Sequence, residues 1–255
     1  MVFAIALQIF AFAVFGGLSF VFADRKGQPL LRPDLIDDAL YFLVSLLLFG
    51  PLVGWMHQHV STPALARVVA RWPLWLQAGV VLIAYDAMQY GLHRAFHGDR
   101  LWAFHAVHHS AEQIDIMTSF RNHPLNLLPY VAVPTAVLLL AGFSPEAFLV
   151  LAPFNFLMAC LTHANLNWTY GPLRYVIASP MYHRWHHAIV EGSQSRNFAP
   201  NFPVWDLMFG TYYMPLHERP VAYGAPDAPA RFVGQLAHPF RSKAAGAPEA
   251  AALSA

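Results

Sequence analysis

The sequence predicts an all-α fold, an integral-membrane helical bundle with a cytoplasmic histidine-rich cap that holds a dinuclear metal site. Three observations lead there. Of the 255 residues, 57% are hydrophobic and only 11% charged, whereas a soluble globular chain carries about 25% charged residues. Uncharged runs recur at the length needed to cross a bilayer. Histidine is as abundant as Asp and Glu together, 14 of each, and ten of the histidines fall between His93 and His187.

The runs come in order. A hydrocarbon core needs about 20 apolar residues in helix, and from Val2 to Ala23 no residue is charged. With neither a basic n-region nor a cleavage site, this run reads as a first transmembrane helix and not a signal peptide. Ala39 to Met56 is the second, with Gly50, Pro51 and Gly54 set to bend its far end. Leu74 to Leu92 is the third, interrupted only by Asp86. Leu125 to Pro145 and Ala147 to Leu166 are the fourth and fifth, joined by the turn Gly142 to Glu146 and able to form a hairpin that only partly crosses. Pro129, Pro134 and Pro153 predict kinks. Lys and Arg favour the cytoplasmic face. Arg25, Lys26 and Arg32 fall on one side, with Arg94, Arg100, Arg121, Arg174, Arg184 and Arg196; Arg67 and Arg71 fall on the other. The histidine-rich segments are therefore expected in the cytoplasm, with His57 and His59 across the membrane, and a bacterial inner membrane is the expected location. The expected division is residues 1–72 for the first helices and loop, 73–220 for a catalytic domain, and 221–255 for a tail that is disordered from about Ser242.

A net charge of +1 argues against a nucleic-acid partner. One cysteine, Cys160, excludes an intrachain disulfide and a cysteine-based zinc module. The histidines remain. His93 and His97 are spaced H-x-x-x-H, which puts both rings on one helical face. His105, His108 and His109 form H-x-x-H-H, and His183, His186 and His187 repeat it. In that pattern the i and i+3 rings share a face, and the adjacent ring approaches a second ion from the side. The ordinary reading of a lone histidine is a hydrogen-bonded core or surface residue. Eight in three clusters beside membrane segments go beyond it, because unpaired polar groups there are costly. They are also too many for one tetrahedral zinc site, and suit two metals.

From Asp86 to about Tyr213 the chain resembles the fatty acid hydroxylase superfamily, also called the sterol desaturase family. The resemblance rests on Asp86, Tyr90 and His93-Arg94-x-x-His97, then on Leu101-Trp102-x-Phe104-His105-x-x-His108-His109-Ser110 and Arg121-x-His123-Pro124. Ser179-Pro180-x-x-His183-Arg184-x-His186-His187 and Trp205-Asp206-x-x-Phe209-Gly210-Thr211 complete it. It implies two iron ions, dioxygen as co-substrate, and hydroxylation or desaturation of an unactivated C–H bond in a hydrophobic lipid. Electrons would come from a separate protein of ferredoxin or cytochrome type, and the substrate would enter sideways from the membrane lipids. Spacing alone shows a polyhistidine metal site. Two rival readings are a membrane zinc-dependent hydrolase and a non-enzymatic metal- or haem-binding membrane protein. A transporter would hold its ligands near mid-membrane, whereas most of these follow helix ends.

Other candidates carry two readings each. His163 is similar to an extra family histidine, and Asn167, where relatives can carry another His, would coordinate weakly or through water. The alternative is that both cap a helix end. His123 precedes Pro124 and is extended; it either supports the site or sits in a turn. Asp86 would accept an N–H from a ligating imidazole, or else bond Tyr90 or Gln89. Asp206 acts similarly or caps a turn. Trp102, Phe104, Trp168 and Trp185 read as interfacial anchors, and His57, His59, His217 and His238 as ordinary.

Overall fold

The computed structural model describes residues 2–29, 31–60, 66–189 and 195–241, so the disorder expected from Ser242 lies outside the described residues. The helices are α1 (Val2–Val21), α2 (Leu35–His59), α3 (Ala66–Val69), α4 (Leu74–Phe96), α5 (Trp102–His109), α6 (Pro124–Leu140), α7 (Phe148–His163), α8 (Pro180–His186), α9 (Val204–Phe209) and α10 (Phe232–Arg241). No strand occurs among the described residues, and short 3-10 turns cover Ile116–Phe120, Pro145–Ala147 and Gly171–Tyr175.

Local chemistry sets the boundaries. Pro180 opens α8, where its missing N–H costs nothing, and the Ser179 hydroxyl accepts the Tyr182 N–H at 3.1 Å. Gly142, at φ 97°, and Pro145 break the chain between α6 and α7. Pro51, Pro129, Pro134 and Pro153 lie inside helices without ending them. A proline frees the carbonyl four residues back, and for Pro134 this is Tyr130, whose oxygen accepts Gln89 Nε2 at 3.4 Å from α4. A neighbouring helix thus satisfies the group, as an apolar surrounding demands.

α4 packs between α6 and α7, α2 against α6, and α1 against α7. Met56, Val81, Tyr85, Leu138, Phe143, Phe148 and Leu151 form a core where these helices meet. Apolar side chains also cover the outside: Leu47 on α2 is 62% exposed and Leu149 on α7 is 72% exposed. Leu35–His59 and Pro145–His163 are long and apolar enough to cross a membrane, while Ala6–Val21 and Pro124–Leu140 are apolar but shorter. The 17 residues of α6 rise about 26 Å, short of a hydrocarbon core of about 30 Å. Two such helices with apolar outer faces fit a membrane protein.

The cap lies where α4 and α7 finish. Arg32 and Arg121, both buried, meet Asp34, Asp38 and Asp115; Arg32 stands 2.6 Å from Asp34 and 2.8 Å from Asp115, and Arg121 bonds Asp34 and Asp38. Pairing is what makes buried charge tolerable, and here it fastens the start of α2 to the segment after α5. Residues 221–241, which the sequence assigns to a tail, contain α10. It packs on α5 and α2, and the Phe232 N–H donates to Asp37 at 2.9 Å. His57 and His59 end α2, about 30 Å from Asp38 at 1.5 Å per residue.

Candidate metal centre

Four segments deliver nine buried imidazoles. α4 ends with His93 and His97, α5 carries His105, His108 and His109, α7 ends at His163, and α8 with its cap carries His183, His186 and His187. They form two groups. His93, His97, His105, His109 and His186 make one, and His108, His163, His183 and His187 the other; within each group the ligand nitrogens lie within 4.8 Å of one another. The groups abut, with the His109 and His187 rings stacked at 4.4 Å.

The partition corrects the expected pairing of i with i+3. In α5 the i and i+4 residues, His105 and His109, stay together and His108 crosses to the other group. In α8, His183 and His187 stay together and His186 crosses. The i+4 residue is turned only about 40° from i, closer than i+3 at about 60°, so i and i+4 aim at one point.

The outward nitrogens determine what the inward ones can do. His93 Nδ1 lies 2.7 Å from the Phe198 carbonyl, His108 Nδ1 3.0 Å from that of Arg121, His163 Nδ1 2.8 Å from that of Ala159, and His186 Nδ1 2.8 Å from that of Arg196. His105 Nδ1 is 3.1 Å from the Asn126 amide oxygen. Each partner only accepts, so each Nδ1 carries the proton and each Nε2 is a bare lone pair. Yet His93 Nε2 and His105 Nε2 stand 3.0 Å apart, and His108 Nε2 and His163 Nε2 3.4 Å apart. Two lone pairs that close repel unless a cation sits between them. Nitrogens bound at right angles about 2.1 Å from one ion are about 3.0 Å apart. The donor set therefore fits a metal ion in each group. Protons are not the answer here. Burial and neighbouring imidazoles push His105, His109, His183 and His187 well below the ordinary histidine value, and burial foremost takes His108 down to about 4 and His186 to about 3.

Three expected site members stand elsewhere. Asn167 is exposed: α7 ends at His163, and Ala164 is extended with ψ 147°, so the helical i, i+4 relation fails. Its N–H donates to the Phe22 carbonyl at 3.1 Å. His123 caps α6, with Nδ1 accepting the Leu125 N–H at 3.1 Å and Nε2 3.2 Å from the Leu236 carbonyl of α10. Asp86 touches neither an imidazole nor Tyr90 nor Gln89 through the hydrogen bonds seen. Its carboxylate accepts the Asn201 N–H at 3.1 Å, Asn201 Nδ2 at 2.8 Å, the Phe202 N–H at 3.2 Å and Trp205 Nε1 at 2.8 Å. Asp206 holds the same loop from the other side, accepting the Phe198 N–H at 2.8 Å, the Ala199 N–H at 2.9 Å and Thr211 Oγ1 at 2.7 Å, and bonding the Tyr182 hydroxyl. Two buried carboxylates thus fix the loop whose Phe198 carbonyl sets the His93 ring.

Sequence reasoning missed Asn126, whose pattern carries no signal, and the structural work of Arg184. That side chain, next to His183 in sequence, is fully buried and donates to the Ile114 carbonyl at 2.9 Å and to Asn165 Oδ1 at 3.2 Å. Trp102 and Trp185 are buried and not interfacial: Trp102 lies 5.3 Å from the His97 and His109 rings, and Trp185 5.3 Å from Tyr213.

A helical chain with two adjoining groups of buried, neutral imidazoles defines a polyhistidine protein equipped for metal. The sequence model of the fatty acid hydroxylase family matches residues 78–211, and the chain belongs to that family. It is 32% identical over 190 residues to the ornithine lipid hydroxylase OlsE of Rhizobium tropici, covering 72% of this chain and 57% of that one. It is 31% identical over 147 residues to the alkylglycerol monooxygenase of Caenorhabditis elegans (56% of this chain, 28% of the relative) and 25% identical over 216 residues to the human one (71% and 48%). The chain thus spans between 28% and 57% of these relatives' length. No solved structure matches the chain significantly.

Proposed function

We propose that this protein is a multi-pass membrane hydroxylase that inserts oxygen into an unactivated C–H bond of a lipid, at a pair of iron ions held by His93, His97, His105, His109 and His186 on one side and His108, His163, His183 and His187 on the other. The observation that carries the reading is the pair of bare Nε2 atoms facing one another in each group, His93 and His105 at 3.0 Å in one and His108 and His163 at 3.4 Å in the other. The likeness to a lipid hydroxylase and to monooxygenases favours hydroxylation over desaturation.

Bound iron would supply the redox chemistry that activates dioxygen. One oxygen atom enters the C–H bond, and the other leaves as water with two protons and two electrons from a separate donor protein. The chain's own groups prepare the ground. Carbonyl acceptors fix His93, His108, His163 and His186 as the Nδ1–H tautomer, the Asn126 amide oxygen does so for His105, and Asp86 and Asp206 hold the loop that orients His93. Trp102 and Phe198 close against the His97 ring, Phe198 at 5.0 Å, and keep water from that flank. A low-dielectric surround favours neutral ligands over imidazolium.

The excess of Lys and Arg on the side of the histidines supports a cytoplasmic cap, within reach of a soluble electron carrier, in a bacterial inner membrane. The test is metal analysis of the active protein with dioxygen uptake measured against lipid and reductant. Two irons per chain and uptake that requires both are expected. Full lipid-converting activity with zinc alone, and no dioxygen consumed, would overturn the proposal.

A further inference from the structure

A cavity of about 890 Å³ lies away from the histidines, between α1, the loop after it and the turn that begins at Ile116; no histidine lines it. Its apolar wall includes Phe12, Phe20 and Ile116, and its polar end includes Arg25 and Lys26. Gly16 and Gly17 form the floor. Glycine inside a helix is destabilising relative to alanine, and packing does not call for it here. A Cβ on Gly16 would meet only Ile116 Cδ1 at 4.0 Å, and one on Gly17 would meet nothing within 4 Å. The space over the glycines is open.

The polar end carries uncompensated positive charge. Asp115, the acid in the lining, is already held by Arg32 at 2.8 and 3.0 Å. Arg25 donates to the Pro220 and Val221 carbonyls, which are neutral. Its nearest acid, Asp24 at 4.0 Å, also faces Arg184 at 3.6 Å and Arg219 at 3.4 Å, three arginines to one carboxylate. Lys26 is exposed and makes no hydrogen bond among the described residues. The cations sit where the apolar, outward face of α1 ends, with Phe20 69% exposed and Val21 74% exposed. Apolar groove below and cations above match an amphiphile standing in the membrane interface.

We propose that this groove is a binding site for an anionic phospholipid, its acyl chain over Gly16 and Gly17 and its phosphate at Arg25 and Lys26. The site is built chiefly by the N-terminal helix and the loop after it, outside residues 78–211, and is closed by Asp115, Ile116, Met117 and Asn165 from within them; none of these is among the imidazoles that would hold metal, so its occupancy is independent of the metal reading.

Native mass spectrometry of the full-length protein in detergent tests it, with dioleoylphosphatidylglycerol against dioleoylphosphatidylcholine. Wild type should retain the anionic lipid preferentially. Gly17→Trp fills the groove without meeting protein atoms near its Cβ and should lower retention of the anionic lipid, whereas Gly54→Trp, on α2 and outside the groove, should not. Lys26→Gln should weaken the anionic lipid about fivefold and leave the zwitterionic one unchanged. Equal retention of the two lipids by wild type would overturn the proposal. So would a Gly17→Trp protein that binds like wild type, or a loss that Gly54→Trp shares. Should Gly17→Trp fail to fold, Lys26→Gln decides: an unchanged preference refutes the site.

Discussion

Replacing Asp86 by asparagine should damage both the fold and the proposed metal site, because of how that carboxylate is used. All four of its partners are donors, two on each oxygen: the Asn201 N–H and Nδ2 on one, the Phe202 N–H and Trp205 Nε1 on the other. An asparagine keeps one oxygen and turns an NH2 group on the remaining two donors. Two buried donors then lose their acceptor, at about 1–3 kcal/mol each, so the expected destabilisation is about 2–6 kcal/mol. The loosened loop carries the Phe198 carbonyl, 2.7 Å from His93 Nδ1, and loss of such an orienting partner costs about 10- to 100-fold in metal affinity or activity. The assay pairs thermal unfolding in detergent with iron content measured under a competing chelator. Asp206→Asn, at a carboxylate that holds the same loop from α9, should reproduce the double effect. An Asp86→Asn protein with wild-type melting and wild-type iron would refute the chain of reasoning from carboxylate to loop to imidazole.

Other outcomes follow from the same geometry. His186→Ala and His108→Ala remove one donor from each group and should abolish turnover and lower bound metal; retention of two ions by either variant would contradict the partition. A His57→Ala/His59→Ala double variant should keep turnover within about twofold, since both lie at the far end of α2, roughly 30 Å by helical rise from Asp38 where that helix meets the cap; a folded but inactive protein would contradict the ligand set. Asn167→Ala should leave iron binding unchanged, whereas Asn126→Ala, which strips the acceptor from His105 Nδ1, should weaken it about 10-fold; the reverse order in a chelator titration would restore Asn167 to the site. In metal-free protein His108 is pushed down to about 4 and His186 to about 3. The unfolded chain, titrating near 6.5, therefore binds more protons below that value, and stability should fall as pH drops from about 6.5 toward 4. Melting temperatures that rise on acidification would show that these rings are not held neutral.

Much of this molecule is readable from residue order because two strong physical constraints act on it. Backbone polar groups in lipid must be satisfied within helices, so uncharged runs mark α1, α2, α6 and α7 closely. Ligands that share an ion recur at helical spacing, so H-x-x-x-H and H-x-x-H-H mark eight of the nine gathered imidazoles and His163 makes the ninth. What fails depends on where the chain leaves the helix. Asn167 shares a face with His163 only if α7 continues, and it stops at His163. Asp86 reads as a partner of an imidazole or of Tyr90 or Gln89, and His123 as a support of the site or a turn residue; in the structure His123 takes the Leu125 N–H, and Asp86 takes backbone and side-chain donors of Asn201, Phe202 and Trp205, more than a hundred positions on. Carbonyl acceptors such as those of Phe198 and Arg196 have no residue-type signature at all. Trp102 and Trp185 look like interface anchors because composition cannot tell a membrane boundary from the lining of a dry pocket.

The exchange of His108 and His186 between groups has a consequence for how the centre fills. Each of α5 and α8 sends two rings to one group and one to the other, so neither helix would serve a single ion in the proposed centre. Whatever binds first and draws the two helices into register also positions donors for what binds second, while removing either ion slackens both. Loading should therefore be cooperative, passing from empty to doubly filled with little singly occupied protein between.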